Sequence, residues 1–552
     1  MGLTSGQYGW KETLKRECPR AWVRGVEPPT DSCDLLVLDG CVMLRSKPRT
    51  IETGAQLSAW FVMMVRSAAR RWRCAGSVIV LFDEEEHIPA SKQPTQKTRG
   101  HVTAEDFLRG REGIVGWNGA IFDDGPMGDY DTLMKCRELR FHVFRHVAVS
   151  LFREARSILL QELEHRAYSP YGATGGAGGA AGAAGAAGAG GRLPSIIVDG
   201  ARLFNGTDIG ECGDHTEWTA RPLPVRDSGN HIGEGDMKLP FWVAERGAGA
   251  RVVVDTIDSD LIPICMNAWA DTGHDLRPVS FHLALRHRGR SPKQADRADA
   301  GSMPAAIDPT RLRLGEALYD CVSVPTLVDE LSEVVEAARN DERAAVSAVS
   351  LAMACTGCDF VQTTGTGLTA TKAWDAITDP RCQQTVLEAL SSPLFAPRRS
   401  SSAFGGGGAQ RGIVGGAGAG AGWMSIVPGD DSLLRFAGLV RQGGVPIGAM
   451  QSSTAASSVP SAVRKRRRAA IPGTPTGEEK RMVDLALMRT AVWAAAYWRS
   501  FHIPQAVAQL DPLLVADDTG LSVFGYERDP NGAVRFAKVV EPRAGGASAS
   551  SQ

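Results

Sequence analysis

Short apolar runs that each end in an acid set the pattern of the first half of the chain. "LLVLDG" closes on Asp39, "SVIVLFDEEE" on Asp83, "PSIIVDG" on Asp199, and "RVVVDTIDSD" on a run of aspartates. Runs of four or five β-branched and aliphatic residues bounded by polar ones predict buried strands. Between the first two lies "TGAQLSAWFVMMVRSAARRW", whose length and apolar spacing predict a helix. Strand, helix, strand at this spacing predicts right-handed βαβ units, hence an α/β fold with a mainly parallel sheet and helices on both faces. A second long helix is predicted over "DYDTLMKCRELRFHVFRHVAVSLFREARSILLQEL", with Phe141, Phe144 and Phe152 on its core face and Arg137, Arg140, Arg145 and Arg153 on a basic face. Near the end, "MVDLALMRTAVWAAAYWRSFHIP" predicts an amphipathic helix with Trp493 and Trp498 on or near its apolar stripe, packing back on a core.

Low-complexity inserts interrupt this pattern. Residues 172–191 are Gly and Ala with one Thr, which cannot bury a core. The chain is therefore expected to divide into 1–100 and 193–285, forming one core, with a helical insert over 101–192. A polar loop follows over 286–310, a helical region over 311–395, a linker over 396–480 and a C-terminal helical region over 481–545.

Composition changes this picture little. Hydrophobic residues make up 43 % of the 552 and charged residues 22 %, ordinary values for a soluble globular chain. A net charge of −1 excludes a strongly basic protein overall but not a local basic face. No apolar run is long enough to span a bilayer, and the first residues carry Lys11, Lys15 and Arg16 rather than an apolar segment, so neither a membrane nor a secretory signal is expected. Eleven cysteines without framework spacing are expected to be reduced thiols, and the "CTGC" pair Cys355 and Cys358 is at most half a zinc site. The basic run Arg464 to Arg468 suits a nuclear localisation signal, with a cytoplasmic location otherwise.

The acids carry the chemistry. In parallel sheets ligands bind beyond the carboxyl ends of the strands, where Asp39, Asp83, Asp258 and Asp260 fall. "GEGDMK" adds Glu234 and Asp236, and "AMACTGCDF" adds Asp359 at the end of a predicted helix. Each alone reads equally well as a loop acid or a helix cap. Together they repel one another at a site where the dielectric is low, a cost that a hard divalent cation with oxygen ligands offsets. Two such ions can stabilise the attacking and leaving oxygens of a phosphodiester displacement.

In this order the motifs resemble the flap endonuclease / XPG superfamily of structure-specific 5′ nucleases. The resemblance implies a PIN-like core followed by a helical helix–three-turn–helix region. It places Asp39, Asp83, Glu234 and Asp236 around one Mg²⁺, and Asp236, Asp258, Asp260 and Asp359 around a second, with Mn²⁺ as a substitute. "MGLTSG" is similar to the family's opening, whose Gly2 lies near DNA. Lys92 and Arg99 resemble the basic residues that offset charge at the scissile phosphate. Gly365, Thr366, Gly367, Thr369 and Lys372 in "GTGLTATK" resemble the family's duplex-gripping hairpin. The implied partner is nucleic acid, branched or flapped DNA foremost and RNA as an alternative, cut by a monomer working without a sliding-clamp peptide.

The chain departs from the family pattern in several places. Glu84, Glu85, Glu86 and His87 follow Asp83 where the family has Gly and Pro, and are expected to put extra negative charge near the nucleic acid. Asp236 is shorter than the usual Glu, and Arg45 stands where a stacking aromatic is usual. Two rival readings remain: an Xrn-type 5′→3′ exoribonuclease, whose acidic blocks "GEGDMK" and "DSDLI" resemble as well, and a PIN-like nucleic-acid-binding protein without catalysis.

Overall fold

A computed structural model describes residues 5–24, 32–48, 50–84, 102–109, 130–167, 195–200, 209–213, 219–221, 234–286, 319–358, 361, 368–391, 430–444, 477–499, 526–528 and 534–536. The chain divides into two compact units. One comprises Cys18–Ile88 and Gly100–Leu327, the other Met1–Glu17, Pro89–Arg99 and Val328–Gln552.

The first unit is built on a nine-stranded mixed sheet. Its strands are β1 (Trp22–Arg24), β2 (Leu35–Asp39), β3 (Ser77–Leu81), β4 (Ser195–Asp199), β5 (Ile209–Gly213), β6 (Thr219–Arg221), β7 (Arg251–Thr256), β8 (Ser280–Arg286) and β9 (Tyr319–Ser323), in the order β1-β9-β8-β7-β2-β3-β4-β5-β6. The five central strands, β8 to β4 in that order, run parallel, and antiparallel pairs close both edges. The four acid-ended apolar runs are β2, β3, β4 and β7, and all lie in the parallel centre. Every residue of β3 and β4 is buried, so both faces of the sheet are covered. The fold is thus α/β and mostly parallel, as the apolar runs predict. Residues 319–323, expected to lie in a helical region, instead form strand β9, because "YDCVS" pairs antiparallel with β8 on one side and β1 on the other.

The connections create a switch point. β2 leads through the helix Gly54–Arg71 to β3 on one side, whereas β7 leads through the helix Leu261–Asp271 to β8 on the other. Neighbouring strands whose crossovers leave in opposite directions open a crevice at their carboxyl ends. Thr53 starts the first of these helices with a capping box, its hydroxyl accepting from Gln56 N–H while the Gln56 side chain accepts from Thr53 N–H.

Aromatic packing fixes the end of β3. Phe82 lies between Phe61 of the helix Gly54–Arg71 and Phe144 of the helix Arg137–Ala167, with ring centroids 5.9 and 5.2 Å away. Gly40, directly after Asp39, permits this: a Cβ there would stand 2.7 Å from the Phe82 ring. The basic face predicted for the helix Arg137–Ala167 is only partly present. Arg145 and Arg153 are exposed, but Arg140 is buried, because its guanidinium lies over Phe141 and Phe144 and reaches Asp83.

Asp255 is 1 % exposed within β7 and collects a set of donors. Arg286 Nε donates to Oδ1 at 2.7 Å, while Trp72 Nε1 at 3.0 Å and the Tyr319 hydroxyl at 3.3 Å donate to Oδ2. Arg71 in turn donates to the Tyr319 hydroxyl. This acid is structural.

The second unit is mainly helical among its described residues. Its segment Ser5–Glu17, expected to belong to the core, packs instead within this unit: Trp10 donates to the Thr356 hydroxyl at 2.9 Å and meets Trp374 edge to face. The stretch expected to be linker contains the helix Asp430–Gln442, tied by Arg441 to Asp484 through two hydrogen bonds. The helix Gly477–Tyr497 packs on the helix Glu342–Cys355 and is buried nearly all round from Leu485 onward rather than along a stripe, with Trp493 stacked on Tyr497. Arg286, expected to open a polar loop, instead ends β8, while the Gly/Ala insert, residues 287–310 and the basic run at Arg464 lie outside the described residues.

Replacing Asp255 by Ala would strand Arg286, 11 % exposed, beside a cavity in the sheet. The expected cost is about 3–5 kcal/mol in a denaturant titration. A loss under ~1 kcal/mol would show that the network does not brace the sheet.

Candidate functional site

Asp39 is the last residue of β2, and its Oδ1 accepts from Val42 N–H at 2.9 Å, capping the short helix Gly40–Arg45. Its position in the sheet is next to the end of β3, since Asp39 pairs with Leu81. Asp83 follows two residues after Leu81 and is held at every side. Its N–H points to Cys41 Sγ at 3.4 Å, its Oδ1 accepts from Gly235 N–H at 3.0 Å, and its Oδ2 accepts from Arg140 at 3.2 Å. Asp258 follows β7, whose Asp255 pairs with Leu38 of β2. A turn fixes it: Asp258 N–H donates to the Thr256 hydroxyl and Asp258 Oδ1 accepts from Asp260 N–H at 3.1 Å. Glu234 is 1 % exposed, and the Gly235 N–H beside it is the one that binds Asp83. Oε1 of Glu234, Oδ1 of Asp236 and Oδ1 of Asp260 are all shielded from solvent.

The acids act on one another. Burial pushes the Asp39 carboxyl up to about 7, and the charges of Asp258 and Asp83 add to the rise against the opposing Val42 N–H and Arg45. Arg45 is the counterpart. Desolvation opposes its charge, yet Cys41, Asp83, Asp39 and Asp258 hold it protonated above its ordinary value. Asp39, Asp83 and Asp258 therefore converge on one region at the switch point, with Arg45 in the same field. Asp39 and Asp258 each spend one carboxylate oxygen on a local cap or turn while sharing an electrostatic field.

Of the remaining predicted residues, Thr369 caps the helix Ala370–Thr378 by accepting from Lys372 N–H, as a helix start after the glycines requires. Gly2, Lys92, Arg99, Asp359, Gly365, Thr366 and Gly367 lie outside the described residues. Glu84 does not add charge to a nucleic-acid path as expected: it is 2 % exposed and pairs with Lys238 at 3.5 Å. Glu85, Glu86 and His87 lie outside the described residues. The motif reading passed over Lys238, Asp199 and Arg140. Lys238 and Asp199 were both visible in the quoted motifs, one closing "GEGDMK" and one ending "SIIVD", yet nothing local marks a lysine as buried.

Among the described residues, no three His, Cys, Asp or Glu side chains stand close enough to ligate a single ion, the "CTGC" cysteines included. The donor set nonetheless has the chemistry that hard divalent cations take: it consists of carboxylate oxygens only, with Glu234 buried and Asp39, Asp83, Asp236, Asp258 and Asp260 partly buried. No helix among the described residues is long and apolar enough to cross a membrane. Set against known proteins, the chain matches no family model, and no curated protein is significantly similar to it.

The Asp39 shift has a sign that can be tested. Because its folded value, about 7, lies above the ordinary 3.8, the folded protein holds the proton where the unfolded chain has lost it. This contribution to stability is fully present below pH 3.8 and is lost as the pH rises through 7. In chelator-treated protein the unfolding free energy is expected to fall between pH 5 and 7.5 by an amount on the order of 2 kcal/mol after screening, read as a drop in the thermal midpoint. Asp39→Asn keeps the cap and removes the charge, so it should flatten that slope. An unchanged slope would show that Asp39 is not the titrating group.

Proposed function

We propose that the sheet-bearing unit is a divalent-metal-dependent nuclease with a PIN-like version of the α/β core, acting on nucleic acid in the manner of the flap endonuclease / XPG superfamily. The observation that supports this most is the placing of Asp39, Asp83 and Asp258 at the carboxyl ends of neighbouring parallel strands, where burial lifts the Asp39 carboxyl to about 7 and the charges of Asp258 and Asp83 add to the rise. A chain gains nothing for stability by crowding like charges there, and a phosphodiester-cleaving site needs them.

In this reading Asp39, Asp83, Glu234 and Asp236 would hold one Mg²⁺, and Asp236, Asp258 and Asp260 would contribute to a second, the ion drawing together carboxylates that stand too far apart to form a ligand group by themselves. Bound there, the ions supply charge neutralisation at the attacking and leaving oxygens of the phosphodiester. The chain's own work is placement. Phe82, packed between Phe61 and Phe144, fixes the backbone at Asp83. Arg140 and the Gly235 N–H orient the Asp83 carboxylate, the cap at Val42 orients Asp39, and the turn at Thr256 orients Asp258. Arg45, in the field of three acids, faces an incoming phosphate with a guanidinium suited to bidentate contact.

The decisive assay incubates purified full-length protein with end-labelled 5′-flap DNA, single-stranded DNA and single-stranded RNA, in Mg²⁺ or in EDTA. Mg²⁺-dependent incision near the flap junction is expected. Asp258→Asn should lower it by at least about 100-fold, beyond the ~10–100-fold typical of groups that only support a ligand. Stepwise digestion of RNA from the 5′ end would assign the exoribonuclease instead. Binding without cleavage of any substrate would leave a nucleic-acid-binding protein.

Mg²⁺ should also raise the thermal midpoint at pH 7.5 more than at pH 5.5, because it binds the ionised carboxylates and displaces the Asp39 proton. Equal stabilisation at both pH values would place the ion elsewhere.

A further inference from the structure

Lys238 is fully buried, at 0 % exposed, and its ammonium stands among three oxygens. Asp199 Oδ1 is 2.7 Å away, the Phe82 carbonyl 2.9 Å and Glu84 Oε1 3.5 Å. Asp199 is equally buried, and its Oδ2 accepts from Trp242 Nε1 at 2.7 Å. None of Lys238, Asp199 or Glu84 belongs to the proposed ligand set, yet the network joins the segments that carry it. Lys238 closes the turn that bears Glu234 and Asp236. Phe82 and Glu84 flank Asp83, and Asp199 ends β4, the neighbour of β3.

The backbone around the network is shaped to admit it. Gly200 has φ +94°, and a Cβ there would stand 2.7 Å from the Phe82 carbonyl oxygen and 2.9 Å from Glu84 Oε1, the same two atoms that Lys238 binds. A second bond runs alongside, from Gly235 N–H to Asp83 Oδ1. The two together span the gap between the β3 end and the Glu234–Asp236 turn. Stability alone does not call for this. A buried lysine with two carboxylates is rarely better than a well-packed apolar set of the same volume, so the charges are retained for what they fix in place.

We propose that Lys238 is a positioning residue: its ammonium clamps the Phe82–Glu84 segment to the Glu234–Asp236 turn and thereby sets the spacing between Asp83 and the acids of that turn. It also neutralises Glu84 and Asp199 locally, which keeps both out of the acid cluster. The inference rests on reading that cluster as a metal site.

The test is Mn²⁺ binding to the full chain, followed by calorimetry and by the electron paramagnetic resonance spectrum of the bound ion. Lys238→Met alone leaves two buried carboxylates without their counter-charge and risks unfolding. The deciding variant is therefore the Glu84→Gln, Asp199→Asn, Lys238→Met triple, which removes every charge of the network and leaves none unpaired, checked for folding by circular dichroism and thermal melting. A folded triple variant that binds Mn²⁺ about 10–100-fold more weakly, with a broadened spectrum, is expected. A folded triple variant that binds Mn²⁺ as tightly as the wild type, with the same spectrum, overturns the clamp. A triple variant that does not fold also overturns it, since the network would then be a stability element. Wild-type protein that binds no Mn²⁺ overturns the clamp and the metal reading together. Wild-type protein that binds Mn²⁺ but cuts no nucleic acid overturns the nuclease reading alone and leaves the Mn²⁺ comparison to judge the clamp.

Discussion

Like charges at the carboxyl ends of buried parallel strands repel one another, and much of what surrounds the switch point of this sheet holds that repulsion in place. Burial lifts the Asp39 carboxyl to about 7, and the charges of Asp258 and Asp83 add to the rise. Each is nevertheless pinned, by a helix cap, by Arg140 with the Gly235 N–H, and by a turn at Thr256. Arg45 adds a positive charge to the same field, and the acids keep it protonated against desolvation. Such spending of hydrogen bonds on mutually repelling acids is characteristic of a site prepared for a cation or for a charge that develops during a reaction.

Three residues of chain separate two different uses of the same side chain. Asp255 lies within β7, in register with Leu38 and Ala284, so its carboxylate is enclosed by the sheet's own neighbours and answered by Arg286, Trp72 and Tyr319. Asp258 lies past the strand end, where the crossover has left and the crevice opens. The acid-rich stretch that follows Val252–Val254 therefore divides at the strand boundary. Inside it the Asp255 carboxylate is structural and fully answered; outside it Asp258 is held by a turn and shares a field with Asp39.

Much of this was legible in the amino-acid sequence, for physical reasons that differ by residue. β2, β3, β4 and β7 announce themselves because strands buried on both faces must be continuously apolar. Asp39 and Asp258 follow from the rule that parallel sheets bind at their carboxyl ends. The strand β9 was hidden, because "YDCVS" is as polar as a loop and owes its state to pairing with β8 and β1. Arg140 was hidden by periodicity, which assigns an arginine to the outer face of a helix and does not see an aspartate waiting on the inner one. Lys238 was hidden for the same reason in stronger form: a buried lysine is defined by Asp199 and Glu84, which lie 39 and 154 residues away. Long-range ionic partners leave no local pattern.

The most direct test of this picture is a crystal of the full chain soaked in Mn²⁺ and measured at a wavelength where manganese scatters anomalously. The account predicts anomalous density beyond the carboxyl ends of β2 and β7, bounded by oxygens of Asp39 and Asp258. Well-ordered density for those side chains with no manganese between them, and Arg45 or Arg140 folded over them instead, would contradict it.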